Sequence, residues 1–193
     1  MKSKRIVTVM SMLLVGLILA AGPAWARKPD HAKGGGKPDH ARGGGKPGPS
    51  IVDVAIELNS SEDFEGVFDT LIAAVLAADP IVLETLDGRG QFTVFAPTDE
   101  AFADIGQDPN TIGDLDQEAL TDILLYHVAR GRQSSKPVLN KKRIRMLKGG
   151  FLKQKDGILT DNLGREADII VVDVKAANGI IHAINRVVLP YAP

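Results

Sequence analysis

Apolar side chains recur with helical spacing in three successive segments after residue 50. The first stripe predicts a helix ending at residues 59–61 and consists of Ile51, Val52, Ala55, Ile56 and Leu58. The second predicts a longer helix that ends at Asp79-Pro80, with Ser60 and Asp63 as its N-terminal cap. Its core-facing positions are Phe64, Val67, Phe68, Leu71, Ile72, Val75 and Leu76. A shorter helix through Val82, Leu83 and Leu86 should stop at Asp87-Gly88.

The next segment changes to strand-like alternation. In residues 91–96, Phe92, Val94 and Ala96 alternate with Thr93 and Phe95, which predicts a strand buried on both faces. Thr98 can then cap a short helix through Phe102. Asp116 can cap a further helix, whose apolar side carries Leu120, Ile123, Leu124 and His127.

Runs of alternating or β-branched residues, bounded by glycine, dominate the chain after residue 130. They predict strands over 144–147, 151–153, 158–160, 168–174 and 180–189. Asn178-Gly179 should form the turn into the last strand, with glycine supplying a positive φ. Helices first and strands later, with one strand between helices, predict the α+β fold class.

The N-terminal 50 residues have a different character. Residues 1–26 combine a basic start, an apolar stretch from Ile6 to Ala21 and a small-x-small site at Ala24-Trp25-Ala26, which predicts a cleaved export signal. Residues 27–50 contain the tandem repeat KPDHA[KR]GGG, typical of a flexible basic linker. We interpret its His31 and His40 as linker residues rather than metal ligands, because isolated imidazoles on a flexible chain lack a preorganised geometry. Residues 51–193 should form one domain.

The composition limits the cellular compartments in which the protein can function and the kinds of chemistry it can carry out. The chain has no cysteine, so disulfides and thiolate chemistry are excluded. Apart from the signal, no segment is apolar enough for stable membrane insertion, so we expect a secreted or periplasmic protein. Residues 51–122 carry 17 acidic side chains against the single basic Arg89, whereas residues 130–155 carry ten basic side chains and no acidic one. Such a surface can attract an anionic polymer or pair with its own acidic half.

No arrangement of residues predicts catalysis. There is no nucleophile motif, no phosphate-binding glycine loop and no metal-ligand spacing, so we expect no enzyme activity, no cofactor and no metal. His127 and His182 lie on apolar faces and should be buried and hydrogen-bonded, His127 to the bend at residues 96–98. Arg186 shares the face of His182, so either the strand leaves the core there or Arg186 pairs with a carboxylate.

Three segments carry a resemblance to a known family. They are the block from Thr93 to Phe102, the pair Tyr126-His127, and the block from Asn178 to Pro190. In this order they resemble the fasciclin domain, and the resemblance covers residues 51–193. It implies a wedge-shaped β-sandwich with N-terminal helices packed on it. It also implies framework roles for a set of motif residues: Thr93, Phe95, Ala96, Pro97, Thr98, Asp99, Phe102, Asn178, Gly179, His182 and Pro190.

The resemblance further implies an extracellular adhesion or matrix-type binding module rather than an enzyme. It implicates Tyr126 and His127 in receptor contact, and Tyr126, off the apolar stripe, should be the more accessible. Asn185 stands where the family more often has an acid.

The basic run predicts a contact for an envelope protein or anionic polysaccharide through Lys141, Lys142, Arg143 and Arg145. A solvated edge strand is the alternative. Nucleic acid is not expected, because no aromatic platform is interleaved with the charges. The alternative function is carriage of a small lipophilic ligand, such as a pigment, between the helices and the sheet. The oligomeric state is left open.

Overall fold

A computed structural model of the chain describes residues 48–191. The predicted signal peptide, most of the linker with His31 and His40, and the last two residues lie outside the described residues. The helices are α1 (Ile51–Asn59), α2 (Asp69–Ala77), α3 (Pro80–Asp87), α4 (Asp99–Ala103), α5 (Gln117–Tyr126) and α6 (Ser135–Asn140), with a 3₁₀ turn at Ile112–Asp114. The strands are β1 (Phe92–Pro97), β2 (Val128–Arg130), β3 (Arg143–Arg145), β4 (Phe151–Lys155), β5 (Ile158–Thr160), β6 (Glu166–Ala176) and β7 (Gly179–Ile184).

Local side-chain caps start several of the helices. Ser50 Oγ accepts from the Asp53 backbone N–H at 3.2 Å, while the Asp53 carboxylate accepts from the Ser50 N–H at 2.8 Å, which completes a capping box for α1. Thr98 and Asp116 cap α4 and α5 as the sequence predicts. Asp79 caps α3.

Helix α2 differs from its prediction in both its start and its face. Ser60 closes the end of α1, donating from its hydroxyl to the Ile56 carbonyl at 3.0 Å, so it does not cap α2. Helix α2 begins only at Asp69, and the distant Asp99 carboxylate accepts from the Thr70 N–H at 2.9 Å. Leu76, predicted to face the core, is 72% exposed. The buried face of α2 is therefore shorter and narrower than the apolar stripe in the sequence predicts.

The seven strands form one sheet in the order β2-β1-β7-β6-β5-β4-β3. Strands β1 and β7 are parallel, and the other neighbours are antiparallel. The two edges approach each other, because Ala129 in β2 bridges Met146 and the Leu147 N–H donates to the Val128 carbonyl at 2.6 Å. The sheet is thus nearly closed into a barrel with helices packed on it, which confirms the α+β, fasciclin-like fold predicted as a wedge-shaped β-sandwich.

Two apolar cores lie on either side of this sheet. The larger fills the space between the helices and the sheet and includes Phe68, Leu124 and Ile181. The smaller lies inside the curled sheet and includes Tyr126 and Leu152. Buried residues of β1 and β7 face both cores, which confirms that β1 is covered on both faces.

The last strand is shorter than predicted. Strand β7 ends at Ile184, and the segment from Asn185 to Pro190 continues without strand pairing. Arg186 therefore leaves the core, and its guanidinium lies 3.8 Å from the Asp104 carboxylate at the surface. Strand β2 and helix α6 were not predicted.

Candidate functional site

The Tyr-His pair lies inside the protein. Tyr126 is 0% exposed, so the expectation that it is accessible at the surface is wrong. Its hydroxyl donates to the Phe151 carbonyl at 3.1 Å. Burial raises the pKa of Tyr126 to about 12, so this phenol stays protonated near neutral pH. In this folded state the pair offers no surface to a receptor.

His127 is buried as predicted, but its partners are not those expected. Its Nδ1 donates to the Ile123 carbonyl at 2.8 Å, and its Nε2 accepts from the Val188 N–H at 3.1 Å. The bend at residues 96–98 supplies neither partner. Burial lowers the pKa of His127 to about 4, which holds the ring neutral with Nδ1 protonated.

The segment after β7 is held by several side chains besides His127. The Asp161 carboxylate accepts from the Leu189 N–H at 3.1 Å, and Arg165 donates to the Val187 carbonyl at 3.2 Å. Arg165 also pairs with Asp161 at 2.7 Å. Burial alone would raise the pKa of Asp161, but its hydrogen bonds from Leu189 and Arg165 hold it below its ordinary value. The Pro190 carbonyl accepts from the Asn162 amide at 3.2 Å.

His182 pins the loop that leads into the basic segment. Its Nε2 donates to the Gln133 carbonyl at 2.9 Å, and its Nδ1 accepts from the Asp173 N–H at 3.2 Å. Burial lowers its pKa, and the Phe95 ring stacks on it with the ring centroids 5.7 Å apart. Thr93 Oγ accepts from the Gln133 N–H at 2.9 Å. Both nitrogens of each buried histidine are therefore engaged with backbone groups.

Asn178 ties three elements together, and Gly179 allows their close approach. The Asn178 amide donates to the Leu86 carbonyl at 2.6 Å, and its oxygen accepts from the Ile51 N–H at 2.8 Å. Gly179 does not have the positive φ that we expected. It is required for another reason: a Cβ there would lie 2.5 Å from the Phe92 carbonyl oxygen and from Ile51 Cδ1.

The remaining motif residues lie where β1 runs into α4. Ala96 and Pro97 are buried in β1, and Phe102 is buried in α4. Thr98 Oγ accepts from the Ala101 N–H at 3.4 Å. The Asp99 carboxylate accepts from the Thr70 N–H in the first turn of α2. These positions belong to the core and to helix ends.

Asn185 pairs with an acidic neighbour. Its Oδ1 accepts from the Asp168 N–H at 2.7 Å, and its amide nitrogen donates to the Asp168 carboxylate at 3.1 Å. An acid at position 185 would keep the first bond but oppose the carboxylate in the second. The amide therefore suits the presence of Asp168.

The predicted cationic contact residues share one exposed region, which we call the basic face. It comprises the exposed cations on strands β3 and β4 and the two immediately before β3, and leaves out Lys148 in the turn between the strands: Lys141, Lys142, Arg143, Arg145, Lys153 and Lys155. Arg143 lies directly across from Lys153 in the antiparallel register, and Arg145 lies across from Phe151. The Arg143 guanidinium lies over the Phe151 ring, 4.1 Å from its centroid. An aromatic ring is therefore interleaved with the charges, contrary to the sequence-based expectation.

The acidic half of the protein does not neutralise the basic face. Within residues 48–191, the ion pair between Lys148 and Asp122 is the one that joins the basic run 130–155 to the acidic segment 51–122. No residue of the basic face forms an ion pair with a carboxylate there. The sequence left two interpretations open, attraction of an anionic polymer and pairing with the acidic half of the protein. In the described residues, ion pairing with the acidic segment 51–122 involves Lys148 alone.

A second feature is an apolar cavity of about 130 Å³ between α1, α2, α3 and the sheet. Its walls are aliphatic and aromatic, including Leu71, Val94 and Ile181. His127 also lines it, but both ring nitrogens are occupied. At the mouth, the side chains of Ile56 and Leu76 are exposed to solvent. The cavity therefore suits a hydrocarbon group and offers it no polar anchor.

No group of three or more His, Asp or Glu side chains in residues 48–191 is placed to hold a metal ion. None of the helices in that range has the length and apolar character needed to cross a bilayer.

Comparison with known proteins gives a consistent match. The family model described as Fasciclin domain matches residues 66–190. Protein sll1483 of Synechocystis sp. is 41% identical over 127 residues, which cover 64% of this chain and 67% of that protein. The uncharacterized protein sll1735 of Synechocystis sp. is 35% identical over 145 residues, covering 73% of this chain and 98% of that protein. Among solved structures, the FAS1 domain pair from the insect cell adhesion molecule Fasciclin I matches with a TM-score of 0.51 and 20% identity, over 66% of this chain and 46% of that one.

Proposed function

Because this chain belongs to the fasciclin domain family, whose domains generally serve as non-enzymatic extracellular adhesion modules, we propose that it is an exported binding module. We propose that its basic face captures anionic polymer at the cell exterior, either envelope polysaccharide or an acidic protein. Recognition uses the surface, while the buried motif residues hold the framework.

The observation that carries this proposal is the unneutralised basic face. Six cations are clustered on β3, on β4 and immediately before β3, and Arg143 faces Lys153 directly across the strands. Like charges directly opposite each other destabilise a strand pair. An arrangement with this cost, and without a carboxylate partner in the described residues, is accounted for by an anionic ligand from outside.

Salt-dependent capture tests the proposal. The purified protein should be retained on an immobilised acidic polysaccharide at low salt and released at high salt, because screening weakens exposed charge contacts. A variant with Lys141, Lys142, Arg143 and Arg145 changed to glutamine should lose most of this retention. The matched control changes Arg89, Arg130, Lys175 and Arg186 to glutamine, which alters the net charge equally outside the basic face. Equal loss in both variants would show an effect of net charge alone and contradict the proposal.

The apolar cavity favours a second candidate function, the carriage of a small lipophilic molecule. A cavity of about 130 Å³ accepts a small ring or the end of a chain, and the exposed Ile56 and Leu76 can cover the part that emerges. Organic extraction of protein purified from its native host should then release a lipophilic compound. Leu76→Glu should abolish loading, while Leu163→Glu, which changes another exposed leucine away from the mouth, should not.

A further inference from the structure

The geometry of the basic face points to a narrower ligand class than polyanions in general. We propose that it binds a carboxylated sugar polymer, a polyuronate, with Arg143 and Phe151 forming the subsite for one sugar unit. This inference rests on the function proposed above and specifies its ligand.

The first argument is the placement of Phe151. Its side chain is 38% exposed on the same face of the hairpin as Arg143, Arg145 and Lys153. Side chains on one face of a strand repeat about every 7 Å, and neighbouring strands lie about 4.8 Å apart. A ring and three cations are therefore presented together within the span of a short oligosaccharide.

The second argument is that the backbone carrying this ring is held in place. The Phe151 carbonyl accepts from the buried Tyr126 hydroxyl at 3.1 Å. The preceding Gly149 and Gly150 form the turn with positive φ, and a Cβ at Gly150 would lie 3.2 Å from Tyr126 Cε2. The start of β4 is thus packed against the interior, so Phe151 offers a preorganised apolar surface.

The third argument is the chemistry of the Arg143–Phe151 pair. A guanidinium presents a planar fork that matches a carboxylate through two parallel hydrogen bonds. The guanidinium covers one face of the Phe151 ring, and the part of the ring that stays exposed can pack against the C–H face of a sugar. A uronate unit carries both an apolar ring face and a carboxylate. Polyphosphate lacks the ring face and a neutral glucan lacks the charge, so neither uses both parts of the subsite.

The test compares four polymers in solution: polygalacturonate, dextran sulfate, inorganic polyphosphate and neutral dextran. Phe151→Leu keeps an apolar strand residue and removes the ring. It should weaken polygalacturonate binding about fivefold or more, the scale of one well-placed aromatic contact, with little change for inorganic polyphosphate, which has no sugar ring. Ile170→Ala, which truncates an exposed β6 residue outside the basic face, is the matched control and should have no effect.

Arg143→Lys keeps the charge and removes the planar fork. It should weaken polygalacturonate binding, because an ammonium group cannot form the two parallel hydrogen bonds. Phosphate oxygens also fit the fork, so Phe151→Leu is the variant that distinguishes polygalacturonate from polyphosphate. Melting temperatures of all variants check that the fold is intact. Should a variant unfold, saturation transfer NMR on the unmodified protein should show contact between Phe151 ring protons and uronate C–H protons.

Two results would overturn the inference while leaving the proposed function standing: affinity that follows charge density alone, or preference for polyphosphate over polygalacturonate. Retention that survives neutralisation of Lys141, Lys142, Arg143 and Arg145 would instead remove the proposed function itself. Failure of the polyuronate inference is therefore seen in the comparison of polymers, and failure of the proposed function is seen in the neutralised variant.

Discussion

The buried Tyr126 hydroxyl donates to the Phe151 carbonyl at 3.1 Å, and so joins the end of α5 to the hairpin that carries the basic face. The family resemblance implicates Tyr126 in receptor contact, yet the side chain has no exposed surface. Through its contact with Phe151, Tyr126 has an indirect role: it positions the hairpin whose exposed residues form the basic face.

Tyr126→Phe tests this link. The change removes one hydroxyl and leaves the Phe151 carbonyl without that donor, so the free energy of unfolding should fall by about 1 kcal/mol. Urea denaturation measures the loss. Tyr191→Phe is the control, because that exposed hydroxyl bonds the Asp122 carboxylate at the surface and should contribute less. Equal losses in the two variants would argue against an anchoring role for Tyr126.

His127→Ala should destabilise the domain by about 1–3 kcal/mol, because it leaves the Val188 N–H unpaired in the interior. Thermal melting of the variant and polymer retention by its folded fraction should be measured together. An unchanged melting temperature with lost retention would contradict the framework role.

The same histidine predicts the direction of pH dependence. Its pKa falls from 6.5 to about 4 on folding, so between these values the unfolded chain binds a proton that the folded protein does not. Stability should therefore be greatest above pH 6.5 and fall as the pH drops towards 4, by about 3 kcal/mol for this group. The lowered pKa of His182 acts in the same direction. The free energy of unfolding, measured by urea denaturation at several pH values, should change less with pH in His127→Gln than in the unchanged protein. The same pH dependence in both proteins would contradict the assignment of this effect to His127.

The sequence predicted those elements that depend on local signals. The caps Thr98 and Asp116 and the apolar alternation of β1 are read directly from neighbouring residues. The start of α2 was not predictable in this way, because the carboxylate that accepts from its first turn, Asp99, comes from a different part of the chain. Helix α6 was missed for the same reason: the Asp173 carboxylate in β6 accepts from the Ser135 N–H at 2.7 Å.

The error at Tyr126 has a physical cause in the two cores. A single apolar stripe assumes one buried side per helix. Helix α5 instead places Leu120 and Leu124 against the core beneath the helices, while Tyr126 enters the core inside the sheet. The interleaving of Phe151 with the basic face also required the strand register, since Arg143 reaches it across β3 and β4.

Asn185→Asp should lower stability. The substituted carboxylate, just beyond the end of β7, would face that of Asp168 in β6, at a cost of about 0.2–1 kcal/mol for opposed like charges. A double-mutant cycle with Asp168→Asn measures the coupling and should recover the loss. If Asn185→Asp leaves the free energy of unfolding unchanged at low salt, the two carboxylates do not repel each other in solution.

Gly179→Ala should be among the most damaging single changes, although only one methyl group is added. The new Cβ would lie 2.5 Å from the Phe92 carbonyl oxygen, which belongs to the backbone of β1, paired on both sides, and cannot move aside as a flexible side chain could. Overpacking of this kind costs about 1–3 kcal/mol. Gly113→Ala is the matched control, because its Cβ would meet only Ala77 Cβ at 3.8 Å and its φ is not positive. Chemical denaturation should show a large loss at position 179 and little change at 113. If position 179 also tolerates alanine, then the parallel pairing of β1 with β7 has more room than the structure gives it, and the glycine is not there for close approach.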